Sequence, residues 1–481
     1  MRTVGRARWA SLTVQAKREI LLGLVLLFAY GFFRQVPAWN EYSRYDLVRA
    51  IVDDGTTRID RFADNTGDKA RYGDHWYSDK APGTALLGVP VYVSQAAISS
   101  AAGAGTPSET DSIQALAFVE CAIPTAILVL LLIRFLGPVV GEGWATAVGL
   151  AYGFGSIAFS FATMFFGHAP AAAALFGSLY VLQGWRRTRE QWRPLVAGAL
   201  AGVAVLVEIP AALGVGVLVL YAAWLGRRQA AAFIVGGIPF AVIFGVYDWI
   251  SFGNPLSLGY ANLAPGGFAN GMSQGILGVT WPKLSTLGDL LGGTRGLIRL
   301  APWFVVAPAG ILAGRTPRLR AEVVVCAVIA GLFLAYNAGY YLPFGGWTPG
   351  PRFLLPALPF AAVLVGLVPT RVRFVAVPLM VAGVAVFLAA TVTMPNAPEL
   401  YNDPLFELWL PRLASGSLAD TIASLRWGVH GLMPLAILVT GLAVGLVALA
   451  VSFLRPALAD RVTRRGSILL GILVVAFALP L

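Results

Sequence analysis

Long apolar runs separated by short Arg-rich turns dominate the chain. "LLGLVLLFAY" and "GLMPLAILVTGLAVGLVALAVSF" belong to runs long enough to cross a hydrocarbon core of about 30 Å. A segment in lipid must satisfy its own backbone hydrogen bonds, so such runs are helices. The period-two alternation of a membrane barrel is absent. The pattern predicts an all-α polytopic membrane protein.

Arg-rich turns face the cytoplasm in such proteins. Here they fall at 1–19, 186–193, 226–229, 315–320, 370–373 and 455–466. Alternation between them predicts spans at about 20–36, 113–135, 143–164, 168–185, a short helical pair over 194–225 turning at "EIPAA", then 230–250, 297–314, 321–342, 353–369, 374–394, 430–454 and 467–481. These make about thirteen, with the N-terminus inside. One apolar stretch does not fit. Both residue 82 and residue 112 must lie outside, so "APGTALLGVPVYVSQAAISSAA" between them is expected as an interfacial or re-entrant helix. The external loops become 37–112, 251–296, 343–352 and 395–429. The basic segment 1–19 leads into the first span without a small-x-small cleavage site, which predicts an uncleaved signal anchor. Residues 20–225 then read as one transmembrane module and 226–481 as a second, more variable one.

Composition sharpens this picture. Charged residues are 12% of the chain, about half the share usual in a soluble domain. The net charge of +11 sits mostly in the turns, and no basic stripe with interleaved aromatics marks a nucleic-acid surface. Arg outnumbers Lys 31 to 4, and with abundant Ala and Gly this suits a GC-rich bacterial genome and hence a bacterial cytoplasmic membrane. Cys121 and Cys326 both lie inside apolar runs, so neither a disulfide framework nor a CxxC metal site is expected.

Charge collects in the first external loop. Nine of the 24 acidic residues lie between 37 and 82, among them Asp68, Asp74 and Asp79 in and around "YGDHWYSDKAPG". Most read as a solvated surface with weak ion pairs. Glu41 and Asp79 differ, because each adjoins an apolar segment at the membrane surface. Glu120, Glu208 and Asp248 lie within apolar spans at one predicted depth, which points to an external-facing cavity. Arg352, at the foot of "GGWTPGPRF", begins a span at that depth. With Arg295, Arg299, Arg44 and Lys80 it is placed to neutralise a phosphate. His75, Tyr77 and His168 are expected beside the same cavity. No HExxH-type spacing is present, and a divalent metal held by Asp74, His75 and Asp79 is left open.

"NEYSRYDLVRAIVDDG" followed by "WYSDKAPGTALLG" resembles the first external loop of the protein mannosyltransferases and lipid A aminoarabinose transferases, the glycosyltransferase family 39-like enzymes of GT-C fold. "EYSRY" supplies Glu41, Arg44 and Tyr45 of their acidic-Arg-Tyr motif. "SDKAPG" supplies Asp79 and Lys80 of their acidic-Lys-Pro-Pro motif, with Ala81 in place of the first proline. The usual Asp-Glu pair is Asn40-Glu41 here, and the turn of the helical pair carries Glu208 where the transferases often carry Lys. The resemblance is strongest over about 20–225. It implies transfer of a sugar from a polyprenyl-phosphate carrier to an acceptor hydroxyl of a glycan, lipid or protein on the external face. It further implies Glu41 and Asp79 as catalytic carboxylates and Lys80 and Arg44 as phosphate partners; Arg352 joins them by its place at the start of a span, and His75, Tyr77, His168 and Glu208 are expected as substrate contacts. The rival class is a transporter or lipid flippase, which also uses intramembrane acids. It would need gates on both faces, whereas the charge here gathers on one.

Overall fold

The computed structural model describes residues 9, 11–314 and 319–478. Residues 1–8 of the basic N-terminus, most of the turn 315–320 and the last residues of the span expected at 467–481 lie outside the described residues. The described chain is helical, with two small antiparallel ribbons: Phe33–Arg34 pairs with Asp420–Thr421, and Lys69–Tyr72 pairs with His75–Ser78. The second ribbon carries "HWYS", the residues just before Asp79 and Lys80.

Six helices among the described residues are long and apolar enough to cross a membrane, or seven if the pair Leu284–Leu300 and Pro302–Ala313, bent by 108°, is one span. The expected count of thirteen is not reached on that criterion, because several expected spans are shorter, broken or more charged. The helical pair forms as Trp192–Val207 and Ala212–Leu225 about a 3-10 turn, Ile209–Ala211. The expected 143–164 span breaks at Gly155 and Ser156. There the Ser156 hydroxyl accepts from Ala158 N–H and starts a new helix, while Trp303 Nε1 donates to the Gly155 carbonyl at 2.7 Å.

Helices in lipid gain little from apolar burial against one another and associate where small residues let backbones approach. Gly198 does this here. A Cβ built on it would stand 1.8 Å from the Phe233 carbonyl oxygen, so Trp192–Val207 seats directly on Arg227–Phe252.

The stretch expected not to cross forms the single helix Gly83–Ala101. It is apolar and long enough to count among the six. It lies along the start of the 32-residue run Glu109–Val140: Gln95 donates to the Asp111 carbonyl at 3.2 Å, and Gly88 packs on Leu116 and Glu120. Trp39–Asp53, the polar helix of the first loop, flanks it on another side.

Candidate functional site

A cavity of about 580 Å³ opens where the first loop meets several later segments. Trp39–Asp53 contributes Asn40 and Arg44, and the loop after it adds Asn65 and Asp68. Asp79 and Lys80 follow the ribbon, His168 begins a helix, and Glu208 sits in the turn of the helical pair. Tyr260, Tyr340, Tyr341, Trp347, Arg352 and Phe353 close the far side. A few convergent charges in an aromatic wall is the usual make-up of a ligand site.

Lys80 is the centre of one charge cluster. Its Nζ lies 2.8 Å from Asp68 Oδ2 and 3.0 Å from Asp79 Oδ2. Burial would strip the ammonium of its proton, but the two carboxylates outweigh it and hold the group above its ordinary range. Burial alone would also raise Asp68, yet the charge of Lys80 keeps its carboxyl below the usual value. Asp79 is pushed up by burial, which Lys80 offsets only in part. The other Asp79 oxygen, Oδ1, accepts from Ser43 Oγ at 3.4 Å, and Ser43 is also 2.8 Å from Ser78 Oγ.

Arg44 centres a second cluster. It donates to Asn40 Oδ1 at 3.1 Å and to Thr84 Oγ1 at 2.8 Å, and pairs with Glu208 Oε2 at 3.5 Å. His168 Nδ1 lies 2.8 Å from the same Glu208 oxygen, an ion-pair distance off hydrogen-bond alignment.

Arg352 stands apart. Among the described residues its guanidinium has neither hydrogen bond nor ion pair, and it rests near the rings of Phe166 and Phe353 at 5.6 and 5.2 Å. Its side chain passes over Gly345, where φ is +92° and a Cβ would come within 2.4 Å of Arg352 Nε. The Gly-rich loop thus admits the arginine as much as it admits a ligand.

Of the residues singled out from sequence, Asp79, Lys80, Arg44, Arg352, His168 and Glu208 meet on this cavity. Others do not. Glu41 is buried off the lining, and its carboxylate accepts from Ala38 N–H at 2.8 Å, Phe165 N–H at 3.1 Å and Asn396 Nδ2 at 3.3 Å. It caps its own helix and ties the first loop to two distant segments. Burial pushes its pKa up to about 7 against those three donors. His75 is exposed on the hairpin with Nδ1 2.7 Å from Asp60. Tyr77 is buried against Phe252, their rings 5.2 Å apart. Asp74, His75 and Asp79 therefore do not converge, and among the described residues no group of three or more His, Cys, Asp or Glu is placed to hold a metal. Arg295 spends its donors on the carbonyls of Thr348, Ala397, Pro398 and Tyr401, and Arg299 pairs with Asp403. Glu120 and Asp248 are buried away from the lining.

No protein-family model matches the chain, and no curated protein matches it in sequence. Solved structures do match. ArnT from Cupriavidus metallidurans in the apo state superposes with a TM-score of 0.50 over 95% of this chain and 75% of its own, at 16% identity. The same protein bound to undecaprenyl phosphate gives 0.51 over 95% and 77%, again at 16% identity. ArnT is a lipid A aminoarabinose transferase. The chain has the GT-C fold. The expectation raised by "EYSRY" and "SDKAPG" is thus met at the level of fold.

On this cavity, sequence reasoning passed over Asp68, Tyr260, Tyr340 and Tyr341. Asp68 is one of nine acids in its loop, and no local pattern sets it apart. Only the partnership with Lys80, twelve residues on, does so.

Proposed function

We propose that the chain is a membrane glycosyltransferase that moves a sugar from a polyprenyl-phosphate carrier to an acceptor hydroxyl. The observation that carries this reading is Arg352, a half-buried cation that among the described residues makes neither hydrogen bond nor ion pair and lines one cavity with the Lys80 and Arg44 clusters. Asp68 and Glu208 act on it only at longer range, so its fork of donors is open to an anion. A phosphate ester whose lipid tail stays in the bilayer supplies that anion at this depth. ArnT's structure with undecaprenyl phosphate supports the choice of carrier. The sugar then lies between the tyrosines and the Asp68–Lys80–Asp79 cluster, whose fixed charges orient its hydroxyls and the acceptor. Arg352 stabilises the charge that grows on the phosphate as the glycosidic bond breaks.

The reaction face in this reading is external. The run Glu109–Val140 has 32 residues, about 48 Å at 1.5 Å per residue, well beyond a core of about 30 Å. That surplus leaves room, in this reading, for its first turns and Gly83–Ala101 beside them to stand outside the core. Cysteines placed at the exposed positions Asp74 and Thr106 are both expected to react with an impermeant thiol reagent added to intact cells. Reaction of only one would put a crossing between them and refute the arrangement.

The function itself is tested by release of undecaprenyl phosphate when the purified chain is given undecaprenyl-phosphate monosaccharides together with a membrane-lipid and glycan extract as acceptor. Release supports the reading. Carrier binding without release would favour a transporter instead.

A further inference from the structure

The acceptor hydroxyl needs a base, and the carboxylates of the first loop are poorly placed to serve. Glu41 is off the cavity with its carboxylate taken up by three N–H donors. Asp79 has one oxygen on Lys80 and the other facing Ser43, and Asp68 is held by the same Lys80. Asn40, on the cavity wall, has no basic group.

His168 differs from all of these. It lines the cavity, is 2% exposed, and its Nε2 has no hydrogen-bond partner among the described residues. Phe161, Phe166 and Phe353 surround the ring at centroid distances of 5.6, 6.1 and 5.4 Å, which fixes its position. Nδ1 lies 2.8 Å from Glu208, and Glu208 is held in turn by Arg44, itself fixed by Asn40 and Thr84. A carboxylate on Nδ1 selects the tautomer with its proton there and leaves the Nε2 lone pair free. It also offsets the charge of the imidazolium that forms on proton uptake. Contacts of this kind are often misaligned before substrate binds.

We propose that His168 is the general base of the transfer and that Glu208 is its positioning residue, an inference that rests on the transferase reading above. The acceptor oxygen attacks C1 of the sugar as its proton passes to His168 Nε2. The bond from C1 to the phosphate oxygen breaks, and its electron pair leaves with the carrier phosphate, beside Arg352. The imidazolium then gives its proton to the departing phosphate or to water, which restores the base.

The test uses His168→Gln and Glu208→Gln in the full-length protein in nanodiscs. It measures kcat for release of undecaprenyl phosphate from a panel of undecaprenyl-phosphate monosaccharides in the presence of a membrane-lipid and glycan extract as acceptor, and Kd for undecaprenyl phosphate on the same preparations. His168→Gln is expected to lower kcat by about 10²- to 10⁴-fold, the span of general-base catalysis, while Kd stays within about threefold of the parent. Imidazole added to His168→Ala is expected to restore part of the lost rate, a response that a packing role cannot give. Glu208→Gln should lower kcat less, again with Kd retained. A His168→Gln protein with kcat within about threefold of the parent overturns the proposal, as does a loss of rate matched by an equal loss of carrier affinity. Both of those results leave the transferase reading standing. A parent protein that releases carrier from no donor fails that reading, and the present inference with it.

Discussion

Arg352→Ala is expected to weaken undecaprenyl phosphate binding by roughly 30-fold or more, the equivalent of at least about 2 kcal/mol for removing one partner of a buried, charge-assisted contact. The guanidinium has no carboxylate to release and no hydrogen bond to lose within the described protein, so its removal leaves no protein group newly unpaired. The loss should therefore appear in the ligand and little in stability. Arg352→Lys keeps the charge but not the planar fork of donors, and a compact ammonium cannot reproduce a bidentate grip on phosphate. It should recover only part of the affinity. Undecaprenol, which lacks the phosphate, is the control: parent and Arg352→Ala should bind it alike. Binding of undecaprenyl phosphate to Arg352→Ala within about threefold of the parent would mean that the residue marks a helix boundary and nothing more.

Lys80→Met should have a larger effect on stability than any other single change in the site. It leaves the buried Asp79 and the partly exposed Asp68 facing each other without the cation that lies 3.0 and 2.8 Å from them. Stripping one partner from a buried ion cluster costs about 3–5 kcal/mol, whereas replacing the whole cluster by neutral groups is often nearly neutral. The combined variant Asp68→Asn, Lys80→Met, Asp79→Asn is therefore expected to regain most of the parent's thermal stability in detergent. It should remain inactive in transfer, because the charges that orient the sugar and acceptor are gone. Stability that stays low in the combined variant would show that packing of the lysine stem, not charge, holds this corner. Parent-like transfer by the combined variant would remove the cluster from the reaction.

Much of the candidate cavity's polar lining was legible in the sequence. Asp79 and Lys80 stood out because two charges precede a Pro-Gly step into an apolar run, and Pro82 does sit at the cap of Gly83–Ala101 with φ −73° and ψ −13°. Arg352 was visible as a cation at the start of a span after a Gly-rich turn. Glu208 and His168 were visible as polar residues at the ends of apolar helices. Glu41 misled because its partners, Phe165 and Asn396, lie 124 and 355 residues away, and a capping carboxylate looks the same in sequence as a reactive one. The tyrosines at 260, 340 and 341 come from loops whose convergence only the tertiary fold decides. Alternation of apolar runs and Arg-rich turns identified the fold class. It says less about how many helices are long enough to cross, because breaks such as Gly155-Ser156 and the bend between Leu300 and Pro302 interrupt runs that remain apolar throughout.

The central claim is that this cavity cleaves the bond between a sugar and a polyprenyl phosphate. The direct measurement is the amount of undecaprenyl phosphate released when the purified parent protein, in nanodiscs with a membrane-lipid and glycan extract as acceptor, meets undecaprenyl-phosphate monosaccharides one at a time. The account predicts repeated turnover with at least one donor, and release near background from Arg352→Ala at the same donor concentration. No release from any donor, by a parent protein that still binds undecaprenyl phosphate, would contradict it.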